Sequence, residues 1–357
     1  NYIDAREGND TVTGSASNEE IIGGAGDDSL SGGDGDDTLR DSQGNNVLAG
    51  GNGNDLIDIY GNNSPTAQID GGEGADILRV SGNIDWENVT LENVETLDGG
   101  GGNSSLSVQE VLDKGFVSAQ NIEFRLDQNE SDGELNASGL SGHFNIRGTN
   151  QSDTLIGNDS NNKIYLHAAE RVGSGRGIDI VDAGGGDDNL FWKIQQFEQW
   201  NYSFSSADID ARTYKIEGSF DGGLGQDALT LDFYNSYFYH SWGGSTWSLS
   251  ENGEAWKLDL TQLQLSNIET LNIVGYDPSR YWASPETVIF SLEQITGLSA
   301  VSGLRKVIIT GGGTVDLAHL SDLNITSWEI GDALAYSFEG TQLAETVEVG
   351  DGLSDVQ

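Results

Sequence analysis

The feature that most constrains this chain is a spacing of nine. Gly23 to Ser31 reads GGAGDDSLS and runs straight into Gly32 to Arg40, GGDGDDTLR, while Gly50 to Asp58 (GGNGNDLID) and Gly71 to Arg79 (GGEGADILR) keep the same register. The common form is G-G-x-G-x-D-x-U-x, with U a large apolar residue. Degenerate copies occupy Ala5 to Thr13, Gly14 to Ile22 and Asp41 to Ala49, and extra residues around Pro65 lengthen the step from Gly50 to Gly71. A unit this short cannot bury its own apolar face, so copies must stack on one another. The glycines suit a six-residue turn in left-handed backbone, packed against identical turns with no room for Cβ atoms. The apolar eighth residue then points inward from a short strand.

A second array occupies Gly148 to Ile156, Gly157 to Tyr165, Ser174 to Asp182 and Ala183 to Phe191, and a lone copy stands at Gly222 to Thr230. The sixth-position Asp carries the chemistry. Stacked turns place these carboxylates in columns, which repel themselves unless a hard cation sits between neighbours. The whole chain has the same need, because 58 acidic against 16 basic side chains give a formal charge of −42. Such a balance excludes a nucleic-acid clamp, which needs a basic stripe for the phosphates. Calcium suits oxygen-rich, flexible sites, with glycine carbonyls completing the shell. Cysteine is absent, so disulfides, thiolate zinc and thiol nucleophiles are excluded.

These repeats resemble the hemolysin-type calcium-binding nonapeptides of the repeats-in-toxin (RTX) family, found in type I secreted bacterial proteins. The resemblance covers roughly a third of the chain. It implies an all-β fold: a right-handed parallel β-roll and β-helix solenoid, with calcium ions between stacked repeats n and n+2 and an aromatic-rich insertion. Carried over position by position, it puts Asp10, Asp28 and Asn46 in one column, and Glu19, Asp37, Asp55 and Asp76 in the other. The accompanying turn glycines are Gly24, Gly26, Gly33, Gly35, Gly51, Gly53, Gly72 and Gly74. In the second array the sixth position is held by Asp153, Asn162, Asp179 and Asp188, with Gly177, Gly184 and Gly186 in the turns. The break at Leu166 to Gly173 leaves their pairing open, and Asp227 is expected to have no tandem neighbour.

The remaining sequence has its own recurrence. Asn93-Val94-Glu95 and Asn267-Ile268-Glu269 each precede Thr-Leu and come after calcium repeats, with a shorter echo at Asn121-Ile122-Glu123. Alternating stretches such as Ala228 to Phe233 and Lys257 to Leu260 read as strands with one buried face. Short helices are expected at Val108 to Lys114 and Ser291 to Ile295. The expected organisation is a roll over 1–80, solenoid coils over 81–147, a second roll over 148–191, an aromatic-rich segment over 192–260 with the lone repeat at 222–230, coils over 261–339, and the start of a further array over 340–357. That final array, together with the absence of methionine even at position 1, points to a piece of a longer polypeptide.

Between Phe191 and Trp256 the chain concentrates its aromatics. A bulky core explains most of them; an exposed platform for sugar rings is the sharper reading, with Tyr237, Tyr239, Trp242 and Trp247 as the candidates. No H-E-x-x-H or G-x-S-x-G motif is present, and His143, His167, His240 and His319 are scattered singly. A lyase or uronate epimerase on a parallel β-helix has only Lys215, Tyr239, His240 and Arg280 to draw on, so no catalytic set is assigned. Asp277-Pro278 is read as a turn. No apolar run is long enough to span a bilayer. The expectation is a calcium-dependent extracellular interaction module, an adhesin or matrix-binding region of a large secreted protein from a Gram-negative bacterium, with calcium and an extracellular polysaccharide or matrix surface as partners. A polysaccharide-modifying enzyme and a surface-layer scaffold are the alternatives.

Overall fold

The computed structural model describes residues 1–60, 67–81, 86–100, 107–126, 133–149, 151–167, 178–193, 213–215, 218–232, 240–242, 245–247, 257–274, 287–302, 306–310, 313–316, 327–330, 336–339 and 347–349. The chain divides into two units, Asn1–Arg125 with Asn136–Arg147, and Leu126–Leu135 with Gly148–Gln357.

The first unit is a parallel β-roll. Its strands are β1 (Tyr2–Glu7), β2 (Thr11–Thr13), β3 (Glu20–Ala25), β4 (Ser29–Asp34), β5 (Thr38–Asp41), β6 (Asn46–Asn52), β7 (Leu56–Tyr60), β8 (Ala67–Glu73), β9 (Ile77–Ser81), β10 (Val89–Glu92), β11 (Thr96–Asp98) and β12 (Ser118–Gln120). The odd strands through β11, then β12, line up as one parallel sheet, and the even strands β2 to β10 as a second. Each nonapeptide therefore makes one strand and one turn, and two nonapeptides make one layer. The register comes from the period: Ile21 faces Leu39, Leu39 faces Ile57 and Ile57 faces Leu78. The extra residues near Pro65 fall in 61–66 and leave the stacking intact, since Gly51 of β6 faces Gly72 of β8.

The alternation turns the eighth-position apolar side chains inward, and Ile21, Leu30, Leu39, Leu48, Ile57 and Leu78 are each at most 1% exposed. Their flanking Ser, Thr and Arg face outward, as a strand of period two requires. The core is a single file of Leu and Ile between two narrow sheets, so it cannot by itself offset the charge on the turns.

In the second unit the strands Lys163–His167, Asn189–Lys193, Ala228–Asp232, Thr270–Val274 and Ala300–Ser302 stack in parallel, as do Thr154–Asn158, Asp179–Gly184, Gly218–Asp221 and Leu263–Ser266. A further parallel sheet runs through Thr213–Lys215, Lys257–Asp259, Thr287–Ser291, Lys306–Thr310, Ser327–Ile330 and Val347–Val349. Here solenoid coils carry on without the nonapeptide. Both expected helices are present. Val108–Asp113 starts at Ser107 and Leu292–Gly297 at Ser291, each with a reciprocal capping box to Glu110 and Gln294 respectively. Among the described residues no helix is long and apolar enough to cross a membrane.

The single-file core makes each eighth-position residue costly to lose. Leu39→Ala should lower the stability of the calcium-loaded first unit by about 2–5 kcal/mol, whereas truncating the exposed Val117 should change it little. Denaturant unfolding in saturating calcium measures both.

Candidate metal centres

The turns of the first roll bring the sixth-position residues into two columns, one on each edge. On the edge where odd strands lead into even ones, the Asp10 amide donates to Asp28 Oδ1 at 2.7 Å and the Asp28 amide to Asn46 Oδ1 at 2.8 Å. On the opposite edge the Glu19, Asp37 and Asp55 amides donate to Oδ1 of Asp37, Asp55 and Asp76, each at 2.7 Å. Asp28, Asp37, Asp55 and Asp76 thus each have one oxygen fixed by the backbone of the preceding layer. The other oxygen is left over. Oδ2 of Asp10, Asp28, Asp37, Asp55 and Asp76 is buried with no hydrogen-bond partner among the described residues.

A buried carboxylate oxygen without a donor is costly, and a column of them more so. Burial is the largest influence on three of the carboxyls: it raises Asp55 from an ordinary 3.8 to about 6, and raises Asp37 and Asp76 as well. What surrounds the free oxygens is further oxygen. A Cβ on Gly50 would lie closer than 3.0 Å to both Asp55 Oδ2 and the carbonyl of Gly71 in the next layer, and Gly32 stands in the same relation to Asp37 Oδ2 and the Gly50 carbonyl. The second- and fourth-position glycines are required too: Gly51 and Gly53, at φ of 118° and 134°, pack against the carbonyls of Gly33 and Gly35 one layer away. Among the described residues no three His, Asp or Glu side chains form a metal-binding group. That agrees with the chemistry, because a shell made of one carboxylate per turn plus backbone carbonyls needs no such convergence. Oxygen-only, flexible and anionic, these sites fit calcium.

Glu19 and Asp153 are differently placed. Ser15 donates its amide and hydroxyl to Glu19, each at 2.8 Å, and Thr149 closes Asp153 in the same way through its amide and hydroxyl. One column of each array thus begins with a turn whose carboxylate is already held by its own second-position Ser or Thr.

The second unit corrects the expectation for Asp227. The Asp153 amide donates to Asp179, the Asn162 amide to Asp188 at 2.6 Å, the Asp188 amide to Asp227 at 2.7 Å, and the Asp227 amide to Glu269 Oε2 at 2.8 Å. Asp227 is therefore the third member of a column, not a lone copy. Strand pairing holds the layers in register, so separation along the chain does not prevent stacking. Oδ2 of Asp188 and Asp227 is buried and without a partner among the described residues. Burial lifts Asp179 and Asp188 to about 7. Gly184 and Gly186 take positive φ in these turns, as does Gly223. Gly177, Tyr237, Tyr239, Arg280 and Asp277-Pro278 lie outside the described residues, as do most of 340–357.

Two features of the site were not anticipated. The first is a ladder at the fifth position, running in the opposite sense: the Asp27, Asp36, Asn45 and Asn54 amides donate to Oδ1 of Asn9, Asn18, Asp27 and Asp36 at 2.8–3.1 Å. The run of Asn and Asp at this position was the available signal. The second is Asp41. The repeat Asp41 to Ala49 carries Asn46 where Asp is usual and Asp41 where Gly is usual. Asn46 Nδ2 donates to Asp41 Oδ1 at 2.8 Å, and a Cβ on Gly23 would lie within 3.0 Å of Oδ2 of both Asp28 and Asp41. The missing negative charge has moved five residues along the chain and returned to the same column. Burial and the neighbouring Asp28 raise Asp41 to about 7.

A family model described as RTX calcium-binding nonapeptide repeat (4 copies) matches residues 1–30, 31–58 and 145–168. The chain carries RTX calcium-binding repeats, and the same turn geometry extends past the matched segments to Asp188 and Asp227. Searches among curated proteins and among solved structures return no match.

The raised carboxyls fix the sign of the metal-free pH response. Asp41, Asp55, Asp179 and Asp188 bind protons more tightly folded than unfolded, so their contribution to stability is complete below about 4 and is lost as pH rises through 6 to 7. In chelator, acidification from pH 7.5 to 5 should raise the melting temperature. In excess calcium the slope should reverse, because protons then compete with the ion. Thermal melts by circular dichroism at both pH values, with and without calcium, check both signs.

Proposed function

We propose that this chain is a calcium-assembled interaction region of a large protein exported by the type I route, working outside the cell as an adhesin or matrix-binding module. The observation that carries the reading is the row of buried Oδ2 atoms on the stacked turns, which no donor among the described residues reaches. In a compartment poor in calcium the columns keep the chain from condensing, which suits export of an extended polypeptide. In millimolar calcium the ion binds the native state alone and drives folding by mass action.

The role in binding extracellular polysaccharide rests on the aromatic segment. Trp242 and Trp247 belong to short strands, His240–Trp242 and Ser245–Trp247, that pair antiparallel with His240 opposite Trp247. Aromatic faces pair well with the C–H faces of sugars.

A glycan array probed with the full chain tests this. Retention in calcium that disappears in EDTA, and that falls by roughly ten-fold or more in Trp242→Ala or Trp247→Ala, is the expected outcome. Unsaturated products released from acidic polysaccharide would transfer the role to a lyase. Calcium-dependent sheets without glycan retention would transfer it to a scaffold.

A further inference from the structure

We propose that the Asn-[Val/Ile]-Glu turn is a terminal cation cap, in which Glu95 and Glu269 supply the last carboxylate of a column and close a metal site with Asp76 and Asp227 that the nonapeptide pattern does not provide. The strand registers define the turn. Glu92 of β10 faces Asp70 of β8 and Thr96 of β11 faces Ile77 of β9, so the three residues 93–95 lie opposite the six residues 71–76. In the second unit Ser266 faces Asp221 and Thr270 faces Ala228, so 267–269 lie opposite 222–227. A three-residue turn does the work of six at the end of each roll.

The shortened turn presents the same chemical groups to the layer beneath. In mid-column, the Asp55 amide meets Asp76 Oδ1, and a Cβ on Gly50 would meet Asp55 Oδ2 and the Gly71 carbonyl. At the cap, the Asp76 amide donates to Glu95 Oε2 at 2.8 Å, and a Cβ on Gly71 would lie within 3.0 Å of both Asp76 Oδ2 and the Asn93 carbonyl. The second copy repeats this: the Asp227 amide donates to Glu269 Oε2 at 2.8 Å, and Asp227 Oδ2 and the Asn267 carbonyl crowd Gly222. The longer Glu side chain makes up for the reach lost with the shorter turn.

The other residues of the turn have equally definite tasks. Asn93 and Asn267 take left-handed backbone, φ 52° and 51°, which Asn tolerates better than most residues. Their side chains donate to Asp70 and Asp221 at 2.8 and 2.7 Å. Val94 and Ile268 are buried.

Two observations point to a ligand at these caps. Asp76 and Asp227 are 0% and 1% exposed, and the Oδ2 of each has no partner among the described residues although a second carboxylate, that of the cap, sits against its own backbone amide. The third copy shows what such a turn recruits. Asn121 has the same φ of 51°, and there the carboxylate of Glu123 is met by a cation, the Arg147 guanidinium, at 2.8 and 2.9 Å. Among the described residues no Lys or Arg forms an ion pair with Glu95 or Glu269. A divalent cation between Asp76 and Glu95, and another between Asp227 and Glu269, supplies the missing charge.

The proposal rests on the columns being calcium sites, and the test separates the two. Calcium bound per full chain is counted by native mass spectrometry for the parent, Glu95→Gln, Glu269→Gln and the double variant. Glutamine keeps an oxygen for the Asp76 or Asp227 amide and removes the charge. Each single variant should bind one ion fewer than the parent and the double variant two fewer. Unchanged counts and unchanged calcium dependence overturn the caps and leave the columns standing, whereas a parent chain that binds no calcium removes both. If a variant does not reach the parent circular dichroism spectrum in saturating calcium, hydrogen exchange of the parent decides. The Asp76 and Asp227 amides should gain protection in the same calcium step as the mid-column Asp55 amide; protection that stays flat there while it rises at Asp55 overturns the proposal.

Discussion

The whole architecture depends on how a stacked turn treats the two oxygens of one carboxylate. One oxygen accepts the amide of the sixth residue in the preceding layer, which fixes the side chain and the spacing between layers. The other is thereby held in a dry position facing backbone carbonyls, where no donor among the described residues reaches it. Nothing in a single-file core of Leu and Ile can offset a buried row of such charges. A divalent ion can, and it also links neighbouring layers through oxygens that would otherwise repel. Glycine at the second and fourth positions has the same geometric cause, since a Cβ would strike the carbonyl of the adjacent layer.

Much of this was legible in the sequence because a nine-residue period is a geometric statement. It dictates the eighth-position core, the sixth-position columns and the pairing of Asp37 with Asp55 eighteen residues on. Asp227 departs from expectation for a physical reason. Separation in sequence is not separation in space: the parallel pairing of Asn189–Lys193 with Ala228–Asp232 restores the register across the intervening residues. The fifth-position ladder was visible as repeated Asn and Asp, yet a pattern keyed to the consensus treats that position as free. Asp41 was hidden in the same way, because its role is apparent only once Asn46 is seen to lie against it.

The recurrent Asn-[Val/Ile]-Glu element was also legible, but its purpose was not. Sequence showed that it comes after calcium repeats; the registers show that it replaces a six-residue turn with three and brings a carboxylate back to the column. Each roll thus has a beginning and an end of distinct chemistry. The hydroxyls of Ser15 and Thr149 bond the opening carboxylates Glu19 and Asp153, and Glu side chains face the closing Asp76 and Asp227. After each end the chain passes through a short capped helix, and its next strand starts with amides bonded to the carbonyl of the same Glu: Val117 and Ser118 to Glu95, Ser299 and Ala300 to Glu269. Coils with the nonapeptide and coils without it are joined at that residue.

An anomalous difference map from crystals of the full chain grown in millimolar calcium locates any ion between the turns. Peaks between successive turns, beside Oδ2 of Asp28, Asp37, Asp55, Asp188 and Asp227, are what the account requires. Turns that hold no ion, with those carboxylates rotated toward solvent or paired with basic side chains, would contradict it.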